Sequence, residues 1–187
     1  MNGQQAQQLE RMTGDIGVME IGFKRLSEYA VLPTKAHASD SGFDLYAAED
    51  VIIAPGETVV VPTNIAVRLP EGYEAQVRPR SGITSKTKLR VQLGTIDNGY
   101  AGDIGVIVDN IGVERDDRDY DVILISEKPS NEYNTVYYIR KGDKIAQLVV
   151  QPIPQAVTVE ITELGETDRG DAGFGSSGTR QAGDHIE

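Results

Sequence analysis

The sequence predicts an all-β protein, a jelly-roll-like β-sandwich with a mobile glycine-rich arm near its C-terminal end. Three observations predict it. Apolar residues recur with period two in many short runs, those runs are rich in β-branched residues, and Gly or Pro separates them, as in "APGE", "LPEG" and "RKGD". Alternation of this kind marks half-buried strands, and frequent turn signals between short strands mark a sandwich or barrel.

The elements follow in chain order. Residues 1–18 are polar and Gln-rich without a clear apolar face, and read as a flexible extension outside the fold. From Met19 the pattern changes. Ile21 and Phe23 alternate with other residues, as do Val59 and Val61, then Ile65, Val67 and Leu69, then Tyr73, Ala75 and Val77. Ile104, Val106 and Val108 continue the series, and Val136, Tyr138 and Arg140 follow it in part. "IAQLVV", 145–150, reads as a buried strand. Helical periodicity is confined to Thr84–Leu89. The segment 113–134 starts with a charged run and contains the apolar run "VILI", so it reads as an insertion between two strands. The β domain is expected over 19–164, with the arm and tail over 165–187.

Composition narrows the chemistry. A chain of 187 residues is most simply one domain with a substantial core. It has no Cys, which excludes disulfides, thiol catalysis and Cys-based zinc sites. With two His it has no multi-histidine metal cluster. A net charge of −11 does not suit direct nucleic-acid binding, where Lys and Arg neutralise phosphate. No apolar run approaches the roughly 20 residues needed to span a membrane, and no basic start leads into an apolar stretch. A cytoplasmic location is expected.

Five stretches carry polar residues where strands should end. "GFGSSG", Gly173–Gly178, has the spacing G-x-G-x-x-G, but a dinucleotide fingerprint needs a strand before it and a helix after it. This segment lacks that context. Phe174 and the nearby Arg169 leave open an arm that closes over a ligand flat at one end and anionic at the other. In "ASDSGFDLYAAED", Asp44 lies between Phe43 and Leu45, so it is either exposed at a strand edge or held near a cation. "RPRSGIT", Arg78–Thr84, is either an exposed turn or a compact donor set for phosphate oxygens. In "GTIDNGYAGD" the Asn-Gly pair signals a hairpin turn, and Asp97 either caps that turn or acts as a general base. In "RKGDKIAQLVV", Gln147 is a polar amide within an apolar strand and must find partners, structural or ligand. A calcium reading of Asp117, Asp119 and Asp121 fails, because Val122 and Lys128 stand where the EF-hand loop needs Gly and Glu.

Taken together and in order, "SDSGFDL", "RSG", "GTIDNGYAGD", "GDKIAQL" and "RGDAGFGSSG" resemble the five motifs of the trimeric dUTP pyrophosphatases (dUTPases), from about Met19 to Gly178 less the insertion. The resemblance implies hydrolysis of dUTP to dUMP and pyrophosphate. That reaction limits uracil incorporation into DNA and supplies dUMP for thymidylate synthesis. It implies Asp97 as the base for the attacking water, and Mg2+ as cofactor on the triphosphate, held by Asp44 through water. Arg80, Ser81, Gly82 and Gln147 would bind the phosphates, and Ser81 and Gln147, with Arg80, would act catalytically by stabilising charge on the leaving pyrophosphate. A hairpin around Val91 to Ile96, including Thr95, would read uracil with backbone groups, and Tyr100 would sit under the deoxyribose. Phe174 would stack on the base within the Gly175-containing arm, and Arg169, Ser176 and Ser177 would reach the γ-phosphate. A homotrimer is implied.

Two departures stand out. The N-terminal extension has no assigned function. The insertion resembles those of some bacteriophage dUTPases, including staphylococcal phage forms that bind a repressor protein, and so points to a phage or host regulatory partner. A dCTP deaminase would show an "RSSxAR"-like second motif and a catalytic Glu, where this chain has "RSGIT" and Asp97. A regulatory binding protein on the same scaffold is the alternative from another class.

Overall fold

The computed structural model describes residues 19–116, 119–129, 133–165, 167 and 170–171. These fall into two units, one ending at Pro154 and the other beginning at Gln155. The extension 1–18 and most of the 165–187 arm lie outside the described residues. In the second unit Val157, Val159, Ile161 and Leu164 are exposed.

The first unit is built from four sheets. β1 (Gly22–Arg25) pairs with β5 (Ile65–Arg68). β4 (Thr58–Pro62), β9 (Gly105–Asn110) and β7 (Leu89–Val91) form a second sheet with β9 central. β2 (Phe43–Tyr46), β12 (Lys144–Pro152), β6 (Tyr73–Arg78) and β8 (Gly94–Ile96) form a third in that order. β10 (Asp121–Leu124), β11 (Thr135–Ile139) and β3 (Val51–Ile53) form the fourth. The inward residues of all four converge on one core: Val67, Val106, Leu148 and Tyr137 are all buried within it. Burial of such an aliphatic side chain is worth about 1.5–3 kcal/mol, so the period-two pattern that marks the strands also supplies the force that stacks the sheets.

Four expectations are corrected. The helix, α1, spans Ser81–Lys86 rather than Thr84–Leu89. It stops because Thr87 turns extended, with its amide and hydroxyl both on the Ile83 carbonyl, and Arg90 donates to the Thr84 and Thr87 carbonyls. The 91–96 stretch is not a hairpin. β7 pairs with β9 and β8 with β6, so exposed Gln92 and Leu93 cross between sheets. Asn98-Gly99 likewise turns between sheets, with the Tyr100 amide donating to the Asp97 carbonyl at 3.0 Å and neither central residue at positive φ. On β11 the innermost side chains are Tyr137 and Ile139, not Tyr138. Tyr137 tolerates full burial because its hydroxyl accepts from the Lys88 amide at 2.8 Å.

The insertion is also more than a solvated loop. Its "VILI" run forms β10, which pairs in parallel with β11, and Ile123 and Ile125 enter the core. Buried Asn134 closes its base. The Asn134 side chain accepts from the Arg115 amide at 2.6 Å and donates to the Arg115 carbonyl at 2.8 Å, while its own amide donates to the Val113 carbonyl. The geometry needs φ of 50° at Asn134, a value Asn tolerates better than most residues.

Candidate active site

Strand register brings three distant stretches together. β12 is central, and Gln147 lies opposite Asp44 of β2 on one side and Arg78 of β6 on the other. Pro79, Arg80 and Ser81 continue from the end of β6. Leu45, Ala146 and Leu148 point into the core, so the pleat turns Asp44 and Gln147 to the other face.

Strict alternation would put Lys144 on the face opposite Gln147. A β-bulge between Lys144 and Ala146 changes this, burying both Ile145 and Ala146 and returning Lys144 to the side of Asp44. Lys144 was not among the residues expected from the sequence. The adjacent apolar pair Ile145-Ala146 ahead of Gln147 was its one signal.

The result is an open cleft of about 440 Å³ lined by Asp44, Arg80, Ser81, Gly82, Lys144 and Gln147, with Asp40, Ser41 and Gly42 at its side. Asp44, largely covered, accepts from Arg80 Nε at 3.0 Å and from Lys144 Nζ at 2.7 Å. That carboxylate, through its hydrogen bond, raises Lys144 above the ordinary lysine value. Arg80 Nη1 also donates to the Lys144 carbonyl at 3.1 Å, which leaves other guanidinium donors free to face the cleft. Gln147 Nε2 donates to the Pro79 carbonyl at 3.0 Å, tying β12 to the start of α1. Gly42 is required here: a Cβ on it would lie 2.6 Å from Gln147 Oε1 and 3.1 Å from Gln147 Cβ.

The donor set was tested against a divalent cation. Each Asp44 oxygen accepts one charged donor, and a carboxylate offers about four lone-pair sites, so capacity remains for metal-bound water. No group of three or more His, Cys, Asp or Glu gathers among the described residues. The residues therefore fit an ion that arrives on a phosphate ligand and keeps its waters, as Mg2+ does.

Asp97, Tyr100, Val91, Thr95 and Ile96 do not line this cleft. Val91 and Ile96 are buried, so only their main chain is available to a ligand, while Thr95, Asp97 and Tyr100 are exposed. The register Ala75↔Ile96 places Asp97 level with Glu74, whereas Gln147 is level with Arg78. Four residues of β6 separate those levels, about 13 Å at a strand rise near 3.3 Å. No hydrogen bond or ion pair engages the Asp97 carboxylate among the described residues, so it does not cap its own turn. Arg169, Phe174, Gly175, Ser176 and Ser177 lie outside the described residues.

Comparison with known proteins places this arrangement. The dUTPase family model matches residues 28–115 and 117–178. A deoxyuridine 5'-triphosphate nucleotidohydrolase of Clostridium kluyveri is 40% identical over 163 residues, covering 86% of this chain and 99% of that protein. The mitochondrial human enzyme of the same name is 38% identical, covering 88% of this chain and 57% of that protein. Among solved structures, the Staphylococcus bacteriophage 80alpha dUTPase with dUpNHpp, described as controlling transfer of virulence genes, superposes with a TM-score of 0.78. It is 37% identical, and the match covers 86% of this chain and 99% of that one. The dUTPase of phage phi11 of S. aureus, whose structure shows coordination of a structural Mg(II) ion, gives 0.70 at 34% identity, covering 78% and 98%. With a family model spanning nearly the whole β unit and a relative 40% identical over 99% of its own length, the chain belongs to the dUTPase family.

Proposed function

We propose that this dUTPase hydrolyses dUTP with Asp97 as general base and with the Asp44–Arg80–Ser81–Gln147 cleft as the triphosphate site. The observation that carries the reading is the cleft itself, where register and a bulge gather the Asp44 carboxylate, the Arg80 and Lys144 cations, the Ser81 hydroxyl and the Gln147 amide from two strands and the stretch that follows β6. The overall reaction is dUTP plus water to dUMP plus pyrophosphate.

A water oxygen bonds to the α-phosphorus, and the bond from that phosphorus to the α–β bridging oxygen breaks. The pyrophosphate departs with the electron pair. The water proton passes to the Asp97 carboxylate and from there to solvent, an assistance worth about 10²–10⁴ in rate. Arg80, the Ser81 hydroxyl and the Gln147 amide orient the triphosphate and stabilise the charge that builds on the leaving group. Mg2+, the cofactor, screens the phosphate charge when bound, and Asp44 would hold it through water.

The distance between Asp97 and the cleft supports a homotrimer. A base more than 10 Å from the phosphate donors of its own chain cannot reach the same water, so the Asp97 loop of one copy serves the cleft of another. On this reading Tyr100 and the main chain of Val91, Thr95 and Ile96 come with that loop to receive sugar and uracil. The arm residues Arg169, Phe174, Gly175, Ser176 and Ser177 close the site. The cytosol, where nucleotides are made, is the location this implies; among the described residues no helix is long and apolar enough to cross a membrane.

The insertion supports a protein partner, a phage or host regulator. Val122 and Ile52 lie on one face of its sheet and are each 61% exposed. Unchanged capture of a repressor by a chain lacking 113–134 would remove that role.

The function is tested by pyrophosphate release from dUTP, dCTP, dTTP and UTP, each with Mg2+ and with chelator. Release from dUTP alone, suppressed by chelator and lost in Asp97→Asn with nucleotide binding retained, is expected. Equal loss of binding and rate in Asp97→Asn would make Asp97 structural.

A further inference from the structure

The loop that carries Asp97 has no sheet to hold it. It leaves β8 at Ile96 and joins β9 at Gly105, in a different sheet, so no ladder hydrogen bonds span it. Yet a catalytic group must be held within about 0.5 Å of its working position.

We propose that Asn98 and the Asp103 carboxylate are positioning residues that clamp the two ends of this loop onto neighbouring strand connections. The proposal rests on the reading of Asp97 as base. At the first end, Asn98 Nδ2 donates to the Leu69 carbonyl at 3.2 Å and to the Pro70 carbonyl at 2.6 Å, in the connection between β5 and β6. Asn98 follows Asp97 directly, so this amide sets the course of the backbone at the base. At the second end, Asp103 Oδ1 accepts from the Ile65 amide at 3.0 Å, at the start of β5, and lies 3.3 Å from Thr63 Oγ1. Thr63 is fully buried and gives its one hydroxyl proton to the Ile104 carbonyl at 2.8 Å, which fixes the chain beside that anchor. Between the clamps the loop is tied across itself, the Tyr100 hydroxyl donating to the Asp103 carbonyl at 2.8 Å.

A turn needs only its own Asp97–Tyr100 hydrogen bond to close. Two further anchors, one on each flank and both onto β5 connections, fix where the turn stands relative to the body. The Asp97 carboxylate takes no part in them, so the anchors fix its backbone and leave the carboxylate chemically free. Misplacing such a group by 1 Å can cost about 100-fold in rate.

The experiment is a kcat, KM and dUpNHpp-binding comparison of the full-length chain with Asn98→Ala, Asp103→Ala, Asp103→Asn and Asp97→Asn. Asn98→Ala and Asp103→Ala should lower kcat about tenfold or more while KM and analogue affinity, which Tyr100 of the same loop shares with other contacts, change several-fold less than kcat. Asp103→Asn keeps an oxygen for the Ile65 amide and should retain most of the rate. Asn98 is exposed, so Asn98→Ala carries the test should Asp103→Ala fail to fold. Wild-type kcat in Asn98→Ala beside an inactive Asp97→Asn would overturn the clamp and leave the base reading standing. Wild-type kcat in Asp97→Asn would overturn both. Parallel loss of kcat, analogue binding and melting temperature in Asn98→Ala would reduce the clamp to a fold contact.

Discussion

A single methyl group on Gly42 tests the cleft most sharply. In Gly42→Ala the new Cβ would stand 2.6 Å from Gln147 Oε1, 3.2 Å from Cδ and 3.1 Å from Cβ. Rotating the amide relieves only the first contact. The Cβ–Cβ approach remains, so β12 at Gln147 or the chain at Gly42 must give by a few tenths of an ångström. Overpacking of this kind costs about 1–3 kcal/mol. Losing the Gln147–Pro79 hydrogen bond adds about 1 kcal/mol. A total of about 2–4 kcal/mol corresponds, for a chain of this size, to a melting temperature roughly 4–16 °C lower. Calorimetry at fixed protein concentration reads this, because dissociation of the proposed trimer would make the midpoint concentration-dependent. Pyrophosphate release, run in parallel, should fall with the displaced Gln147. Adding Gln147→Ala to Gly42→Ala removes the Oε1 and Cδ contacts but keeps the 3.1 Å Cβ–Cβ approach, so it should recover only part of the stability, a non-additivity typical of touching residues. A Gly42→Ala protein melting within 1 °C of wild type, with unchanged turnover, would refute the close approach of Gly42 to Gln147.

Other outcomes follow from separate features. Leu148→Ala should destabilise by about 2–5 kcal/mol, read by denaturant unfolding, since Leu148 is fully buried at the centre of the core. Asn134→Gly should unfold less readily than Asn134→Ala, because both lose the Arg115 contacts while only Ala is strained at positive φ. The Asp50 carboxyl is held below its ordinary value by the Tyr138 hydroxyl and then by the Lys141 amide. A depressed carboxyl stabilises the fold above its unfolded-state value, and that contribution is lost as pH falls through the folded-state value. Tyr138→Phe should therefore flatten the acid limb of melting temperature against pH. Phe174→Ala should weaken dUpNHpp binding roughly 5- to 150-fold if the ring stacks on the base, with the melting temperature of the empty protein unchanged.

The strands were legible because burial on one face leaves a period-two trace that needs no knowledge of partners, as in Val106 and Val108 of β9 or Ala75 and Val77 of β6. The site residues within the cleft were legible only as a set in order. Asp44, Arg80, Ser81 and Gln147 are each ordinary polar residues at strand ends, and only their joint spacing resembled a family. Lys144 was missed because its face depends on a bulge, and a bulge is a property of two paired strands rather than of one. The 91–96 hairpin, implied by the family resemblance, failed for a related reason. Motif residues in order do not say whether the flanks of a short link pair with each other or with strands elsewhere.

By itself the sequence determined the all-β class, the apolar phase of most strands and the family to which the chain belongs, because these depend on residue type and local spacing. Tertiary structure alone decided which strands are neighbours. Pairing is set by long-range register, and register placed Gln147 between Asp44 and Arg78, turned the insertion's "VILI" run into a strand beside β11, and set Asp97 apart from the Asp44–Arg80–Gln147 cleft of its own chain.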